Sequence, residues 1–385
     1  MLSLSTTVRF AKLLCVVCAM FCVVAFVPRA RAAAQTTWLV TKAADTNDGT
    51  CNADCSLREA IAAANANDTI NFAGDYAIVL SAGTLNISKN LTIDATGRSV
   101  SVSGNDAVRV FDLAGATFQF THLTITRGAV KNANTGGGIL VHNGATLTLD
   151  ECTLSSNRAA SDGGGIYAND ATVHIFNSTF TRNRSGNYGG ALAFKGSAAD
   201  VSGSAFTRND AYFGGASVYA DTGSALTAVN STFFREKTYN GALFLRVNSQ
   251  LYNNTIFKSK RSYGGLGIVF IAGNHELRNN IIAGSPNGAC VKQSGATFTV
   301  NLNTLANDRT CKKNATGYLK ASPKLGTFGN YGGATKTLPL LAGSPALDTG
   351  DDAACAAAPV NAIDQRGITR PQGVHCDRGA YEAQP

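Results

Sequence analysis

Through its middle the chain alternates apolar and polar residues in short runs, and Gly, Asn, Asp or Ser residues separate these runs. Thr, Val, Ile and Phe are frequent within them, whereas the Leu, Glu and Lys runs that helices favour are sparse. A period of two over such short stretches predicts β-strands, and the polar separators predict turns. Examples are residues 145–149, 171–176 and 225–229.

Runs of glycine return through the same region at intervals of 24 to 27 residues. The last glycine of each run, or the single glycine that replaces a run, is Gly138, Gly165, Gly190, Gly215, Gly241 or Gly265. A nearly fixed period of this length is typical of stacked structural repeats. The repeat unit is therefore a coil of a few short strands.

A second phrase follows each glycine run, reading CTLSSN, STFTRN, SAFTRN, STFFRE and NTIFKS in turn. Aligning the phrases gives an apolar column of Leu154, Phe180, Phe206, Phe233 and Ile256, and a polar column of Asn157, Asn183 and Asn209. Equivalent strands of successive coils pair about 4.8 Å apart, so identical side chains stack along the axis. The pattern predicts an all-β, single-stranded, right-handed parallel β-helix.

The two ends of such a solenoid need covering, because open strand edges promote aggregation. The segment CSLREAIAAAN predicts a short helix, with Ser56 as N-cap, Glu59 completing a capping box and Leu57 and Ile61 on one face. Residues 344–382 are rich in Ala, Pro, Gly and Asp, which predicts an irregular C-terminal cap.

The N-terminus has the three parts of a secretory signal: basic Arg9 and Lys12, the apolar run 13–27, and a small-residue cleavage site ending at Ala32. The apolar run is shorter than the roughly twenty residues of a membrane span. We predict a signal peptide over 1–32, a strand and capping helix over 33–66, coils over 67–300, and the last coils with the cap over 301–385. The mature protein is expected to be secreted or associated with the cell surface.

Charge argues against nucleic acid as a partner. The formal net charge of the full sequence is +8, and four of its basic residues lie in the predicted signal peptide. The small remaining excess does not indicate a nucleic-acid-binding protein. We expect a monomer without a membrane span.

The cysteines of the mature chain are expected to form local disulfides, as exported proteins allow. The predicted pairs are Cys51 with Cys55, Cys290 with Cys311, and Cys355 with Cys376. Cys152 is left over at the start of a repeat phrase, where a buried small hydrophobe is favoured over a reactive thiol. No spacing typical of a metal site accompanies these residues, so neither a metal nor another cofactor is expected.

One column of the repeat phrases is basic. It contains Arg127, Arg182, Arg208, Arg235 and Lys258, and Ser156 interrupts it. Like charges stacked across a sheet repel one another, so this column has no evident structural motive. We predict that it binds a linear polyanion; the alternative is a solvated corner where arginine stems cover apolar surface.

Aromatic residues form a second candidate surface after the glycine runs. Tyr167, Phe194 and Tyr219 are predicted to face outward, where they could stack against sugar rings. A register shifted by one residue would turn such side chains inward, and this alternative stays open.

Three segments resemble known families of exported bacterial proteins. CSLREAIAAAN resembles the CSLREA-type opening segment, and the glycine pairs with FTRN phrases resemble the GGAI and FxxN repeats of the polymorphic outer-membrane-protein family. SPALDTG, DQRGITRP and CDRGAYE are similar to the closing segment of the choice-of-anchor Q family. These resemblances imply a secreted or surface protein, in some members an adhesin.

Pectate-lyase-like enzymes use the same predicted fold, so the fold alone does not exclude catalysis. The acidic residues and histidines of the repeats fall in unrelated columns, without the carboxylate pair of a glycoside hydrolase. We therefore predict a non-catalytic protein that binds glycans or cell surfaces, with acidic polysaccharide as the favoured partner. The alternative is a polysaccharide lyase, for which calcium would be a cofactor; a structural coat protein is a weaker third reading.

Overall fold

The computed structural model describes residues 35–132, 134–260 and 265–384. The predicted signal peptide lies outside the described residues. Within them the chain is a parallel β-helix, as predicted, in which each strand pairs in parallel with its equivalent in the next coil. No helix of the described part is both long enough and apolar enough to cross a bilayer.

Three sheets form the sides of the solenoid. Sheet A, the largest, consists of Thr37–Val40, Asp68–Phe72, Leu85–Ile87, Leu91–Asp94, Phe111–Ala114, Thr117–Thr121, Ile139–His142, Thr146–Asp150, Ile166–Asn169, Thr172–Phe176, Leu192–Lys195, Ala198–Ser202, Val218–Ala220, Ala225–Val229, Leu243–Leu245, Asn248–Tyr252, Ile268–Arg278 and Cys290–Leu302. Most coils contribute two consecutive strands to it, with a bend between them.

Sheets B and C complete each coil. Sheet B consists of Tyr76–Val79, Val100–Ser103, Leu123–Thr126, Thr153–Ser155, Thr179–Thr181, Ala205–Thr207, Thr232–Phe234, Thr255–Phe257, Ile281–Ala283, Leu305–Ala306 and Leu319–Lys320. Sheet C is short and consists of Ala129–Val130, Arg158–Ala159, Arg184–Ser185 and Asp210–Ala211. The second phrase of each repeat forms the sheet B strand and the corner that follows it.

The predicted apolar column forms the centre of the core. Phe180, Phe206 and Phe233 are fully buried and pair in register along sheet B. Their rings stack, with centroids 4.9 and 4.8 Å apart and interplanar angles of 7° and 14°. Leu154 and Ile256 continue the column at either end. A stack of fully buried rings contributes both area burial and offset-stacking energy.

The predicted asparagine column is a continuous hydrogen-bond ladder inside the corner between sheets B and C. The Nδ2 of Asn157 donates to Asn183 Oδ1 at 3.0 Å, and the Nδ2 of Asn183 donates to Asn209 Oδ1 at 3.1 Å. The backbone N–H groups of Asn157 and Asn183 donate to the same two acceptors. All three residues are fully buried, so the ladder satisfies polar groups that water cannot reach.

Cys152 occupies a second polar column, in which the following coils place serine. Its backbone N–H donates to the Oγ of Ser178, whose own N–H donates to Ser204 Oγ. The thiol is 1 % exposed, and burial raises the pKa of Cys152 to about 12. The residue is therefore a buried small side chain, as predicted, and not a reactive thiol.

The N-terminal helix spans Leu57–Ala63 and begins with the predicted capping box. The N–H of Glu59 donates to Ser56 Oγ, and the N–H of Ser56 donates to Glu59 Oε2. Leu57 and Ile61 are buried in the same hydrophobic core as the coils.

The C-terminal segment 321–384 lies along the outer face of sheet B, whereas we expected a cap on the last coil. Thr335 Oγ1 donates to the carbonyl of Gly203 at 2.6 Å, and Asn230 Nδ2 donates to the carbonyl of Ile363 at 2.9 Å. Outward apolar side chains of late coils, such as Ile281 and Leu305, pack against this segment. These side chains would otherwise face water, which is the physical reason for the placement.

The charged motifs of this segment are structural. In DQRGITRP the guanidinium of Arg366 lies 2.7 Å from the carboxylate of Asp364, and Arg370 lies 3.0 Å from Glu382. All four side chains are nearly fully buried. A short helix, Asp352–Ala356, is the only other helix in the described part of the chain.

The three predicted disulfides are present. Cys51 pairs with Cys55, Cys290 with Cys311, and Cys355 with Cys376. They tie, respectively, the loop before the first helix, an edge of sheet A and the C-terminal segment.

Candidate functional site

The basic column lies at the corner between sheets B and C, where the backbone is left-handed. The φ angles are 50° at Arg127, 56° at Arg182, 59° at Arg208, 57° at Arg235 and 60° at Lys258. Left-handed backbone crowds the Cβ atom, so such positions favour Gly and Asn and cost other residues on the order of 1 kcal/mol. Local backbone preference therefore does not explain why cations recur here.

The corner directs alternate side chains to opposite sides. Asn183 points into the hydrogen-bond ladder, while Arg182 before it and Arg184 after it are exposed. The same alternation occurs in the next coils. It produces two parallel rows of side chains outside the buried ladder.

These rows line a groove of about 1860 Å³, which we call the basic groove. Its first row is Arg182, Arg208, Arg235 and Lys258, and its second row is Arg184, Asp210, Lys237 and Lys260, in which Asp210 interrupts the cations. The remaining lining residues are Gly284, Ser285, Pro286, Asn287 and Asn307. Among the described residues that line the groove, Asp210 is the sole carboxylate, 3.8 Å from Arg184.

The first row is available to a ligand. Its four side chains are exposed, and none of them forms an ion pair with a described residue. The Arg235 guanidinium carbon and the Lys258 Nζ each lie 5.0 Å from the centroid of the preceding phenylalanine ring. These cation–π contacts help to position the two side chains without neutralising their charge.

Glu236 lies beneath the first row and does not compensate it. The residue takes the place of the next asparagine in the ladder and is fully buried. Asn209 Nδ2 donates to its Oε1 at 3.4 Å, and its Oε2 has no hydrogen-bond partner among the described residues. Burial raises the pKa of Glu236 well above its ordinary value, which favours the uncharged carboxyl form.

Arg127 occupies the predicted column at the corner, but it is not one of the cations of the basic groove. Its Nε donates to Asp106 Oδ2 at 2.8 Å, so its charge is already paired. Ser156 separates it from Arg182, and it does not line the basic groove. Asp106 lies in a turn of an earlier coil, outside the aligned phrases, which is why the sequence did not reveal this pair.

The groove continues onto the face of sheet B as a hollow of about 490 Å³. Arg182 and Arg208 line both spaces. The other lining residues are Thr179, Thr181, Ala205, Thr207, Phe234, Phe328, Asn330, Ala334, Thr335 and Lys336. The C-terminal segment thus forms one wall and adds a further cation.

The prediction that Phe194 faces outward is wrong. Phe194 is fully buried in the core, paired with Ala168 and Ala220. Tyr219 instead shares an outward column with Tyr167, although it is only 6 % exposed.

The strand register differs from the predicted one because of the glycine that forms the corner. The glycine three residues before each paired strand has positive φ, and it is Gly163, Gly189 and Gly215 in successive coils. Gly163 begins a run of three, Gly189 begins a pair and Gly215 ends one. Aligning the last glycine of each run therefore misplaced the strands by one residue in some coils.

Two sets of functional candidates that were not predicted carry a visible signal in the sequence. The second basic row follows the first at a spacing of two residues, as in RNR, REK and KSK. Aromatic residues immediately precede several glycine pairs, as at Tyr188 and Phe213. Both signals recur with the coil period and so were accessible to alignment.

The histidines do not form a site with the basic groove. His142 lies 2.8 Å from Asp112, and His174 lies 3.0 Å from Asp200, as surface pairs on sheet A. His275 is buried, and burial lowers its pKa to about 4. Within the described residues no group of three or more His, Cys, Asp or Glu side chains is placed to hold a metal ion.

Comparison with known proteins agrees with this architecture. Residues 137–305 match the family model described as right handed beta helix region. The fold and this match define a right-handed parallel β-helix protein. The finer resemblances to CSLREA, polymorphic outer-membrane and choice-of-anchor Q proteins stay predictions.

Among solved structures, the chain is similar to the crystal structure of pectate lyase Pel9A. The two are 14 % identical with a TM-score of 0.49, over 91 % of this chain and 97 % of that chain. No curated protein matches the chain.

Proposed function

We propose that this protein binds a linear acidic polysaccharide along the basic groove. The observation that carries the proposal is the first row: four exposed cations on successive coils, at left-handed positions, without an ion-pair partner in the described chain. Such a row costs electrostatic repulsion and backbone strain in the free protein. A bound polyanion would offset the repulsion.

The spacing of the row supports a polymer with roughly one charge for each coil. Successive coils are about 4.8 Å apart. Duplex DNA carries one charge for about every 1.7 Å of its axis, which is a much denser array. A polysaccharide with one carboxylate or sulfate on each sugar matches the groove better, and the second row can contact a further side of the chain.

Affinity would come from many weak contacts made together. A single exposed ion pair is worth about 0–1 kcal/mol, so one rung alone would not hold a ligand. Several rungs on one polymer act as a multivalent site, in which each contact raises the effective concentration for the next. Binding should therefore be strongly weakened by salt.

The test replaces three cations of the first row in the mature protein, as Arg182→Asn, Arg208→Asn and Arg235→Asn together. Asparagine tolerates left-handed backbone, so the substitution is expected to preserve the fold. The control, Lys312→Asn with Lys313→Asn and Lys320→Asn, removes the same charge from exposed positions outside the groove. Binding to polygalacturonate, chondroitin sulfate, neutral dextran and duplex DNA is measured at several salt concentrations.

We expect the groove variant to bind the acidic polymers at least tenfold more weakly, and the control to bind like the unmodified protein. Equal losses in both variants would mean that only net charge matters, and the proposal would fail. Tighter binding of duplex DNA than of any acidic glycan would also overturn it.

The same mixtures distinguish binding from cleavage. They are incubated with and without calcium, and unsaturated uronates and new reducing ends are measured. Retention of intact polymer supports a binding protein. Accumulation of unsaturated products would replace the proposal by the alternative, a polysaccharide lyase.

We further propose that the protein acts outside the cytoplasm. Its three disulfides suit an oxidising compartment. N-terminal sequencing of the exported protein should give a chain that begins at Ala33. A protein that keeps residues 1–32 and stays with the cell interior would contradict this.

A further inference from the structure

An aromatic patch lies on the outer face of sheet A and on the corner before it, and none of its residues lines the basic groove. Tyr219 and Phe244 are adjacent in one outward column of the sheet, and Tyr188 and Phe213 come from the corner loops before the strands. The Tyr188 ring centroid lies 4.5 Å from that of Tyr219, 5.5 Å from Phe213 and 5.6 Å from Phe244. The four rings therefore form one continuous cluster.

The cluster is partly open to solvent. Phe213 is 44 % exposed, and Tyr188 and Phe244 are half-buried. The small Ala193 occupies the column position between Tyr167 and Tyr219, so the sheet itself presents only a methyl group at that coil. Contiguous apolar area that is left open to solvent is a feature of interaction surfaces.

Polar groups border the rings. Arg246 lies 3.8 Å from Asp221, and both side chains act electrostatically on the hydroxyl of Tyr219, whose pKa is raised to about 12, chiefly by burial. On the other side Asp162 accepts the backbone N–H of Tyr188 at 2.9 Å. Donors and acceptors thus lie at the edge of an aromatic surface, the combination found in small-molecule and sugar sites.

The charge around the patch differs from that of the groove. Asp162, Asp170 and Asp221 lie near Tyr167 and act electrostatically on its hydroxyl. The cations of the adjoining column are Lys195 and Arg246. The patch therefore lacks the positive excess that would attract a polyanion, and its carboxylates disfavour one.

We propose that this aromatic patch is a second carbohydrate site, which takes a neutral pyranose chain. The apolar faces of the sugar rings would stack on Tyr188, Phe213 and Phe244. Sugar hydroxyls would donate to Asp162 and Asp221 and accept from Arg246. The site is separate from the groove, so a glycan with acidic and neutral regions could contact both.

The test uses the mature protein with Tyr188→Ala and Phe213→Ala combined. Affinity electrophoresis is run in gels that contain hydroxyethylcellulose, xylan or mannan. Phe176→Ala serves as the control, because Phe176 is an exposed aromatic residue on another part of sheet A. Tyr188→Phe keeps the ring and removes the hydroxyl, so it shows whether binding depends on the ring. A cooperative thermal unfolding transition of the double variant shows that a loss of binding does not come from general unfolding.

We expect retardation by at least one neutral polymer, little affected by salt, and at least tenfold weaker binding in the double variant. Phe176→Ala and Tyr188→Phe should retain binding, as should the groove variant of Arg182, Arg208 and Arg235. If no neutral polymer retards the protein, the proposal is wrong even where acidic polymers still bind. Sedimentation showing a dimer that the double variant abolishes would instead make the patch an interface between copies.

Discussion

Two columns of side chains follow the same corner: the buried asparagine ladder, here the inner ladder, and the exposed first row of the basic groove, here the outer ladder. The inner ladder is held by hydrogen bonds between its side chains, and the outer ladder is not. Asn183 is fully buried and bonded to the asparagines of both neighbouring coils. Arg182, the residue before it, is exposed and has no ion-pair partner among the described residues. The coil repeat stacks both kinds of side chain on their equivalents in the neighbouring coils. The difference between the two columns therefore lies in which hydrogen bonds each side chain can form with its equivalents.

An amide side chain both donates and accepts, whereas a guanidinium only donates. A column of asparagines can therefore bond from coil to coil without any other partner. A column of arginines needs acceptors from elsewhere, and Arg127 finds one in Asp106 while the first row does not. Folding accounts for the inner ladder, and the outer one is left for a ligand.

Removing one asparagine of the inner ladder should have the largest effect on stability. Asn183→Ala leaves Asn157 without its acceptor and Asn209 without its donor, all in a buried corner. Each buried group left unpaired costs about 1–3 kcal/mol, so the free energy of unfolding should fall by roughly 3 kcal/mol or more. Urea denaturation measures this change.

Asn274→Ala is the matched control, since Asn274 is exposed in sheet A. It should change the free energy of unfolding by less than about 0.5 kcal/mol. A similar small effect for Asn183→Ala would show that the ladder does not stabilise the corner.

Glu236→Gln tests how the carboxyl group in the inner ladder makes the stability of the protein depend on pH. The folded-state pKa of Glu236 is raised, so the folded protein binds this proton more tightly than the unfolded chain. The stability that the protonated side chain provides is complete below the ordinary pKa of 4.5 and is lost as the pH rises through the folded-state value. Glutamine mimics the protonated form at every pH.

The variant should therefore gain stability over the unmodified protein as the pH rises above 4.5. Unfolding free energies from pH 4 to pH 9 measure the gain, with the exposed Glu151→Gln as control. Parallel curves for Glu236→Gln and the unmodified protein would show that the buried carboxyl does not resist ionisation.

The smallest effect on stability is expected when a cation of the outer ladder is replaced. Arg208→Asn places a residue that tolerates left-handed backbone where an exposed arginine stood, so stability should stay within about 0.5 kcal/mol or rise. Thermal unfolding measures it. A loss as large as that of Asn183→Ala would mean that Arg208 has a structural role, and the contrast between the ladders would disappear.

Interactions that recur with the coil period could be predicted from the sequence alone. The stack of Phe180, Phe206 and Phe233, the asparagine ladder and the basic column all repeat at intervals close to one coil. The capping box of Ser56 and Glu59 is local, and so is the Cys51–Cys55 disulfide. Periodic and local contacts have fixed separations, and alignment therefore reveals them.

Contacts that do not repeat with the coil period could not be predicted from the sequence. The positive-φ glycine set the register that buries Phe194, the turn at Asp106 paired with Arg127, and the C-terminal segment covered the side of sheet B. The raised pKa of Glu236 also depends on packing in the corner. The physical reason is that these contacts join segments at unrelated separations, where burial and charge pairing, rather than local preference, choose the partner.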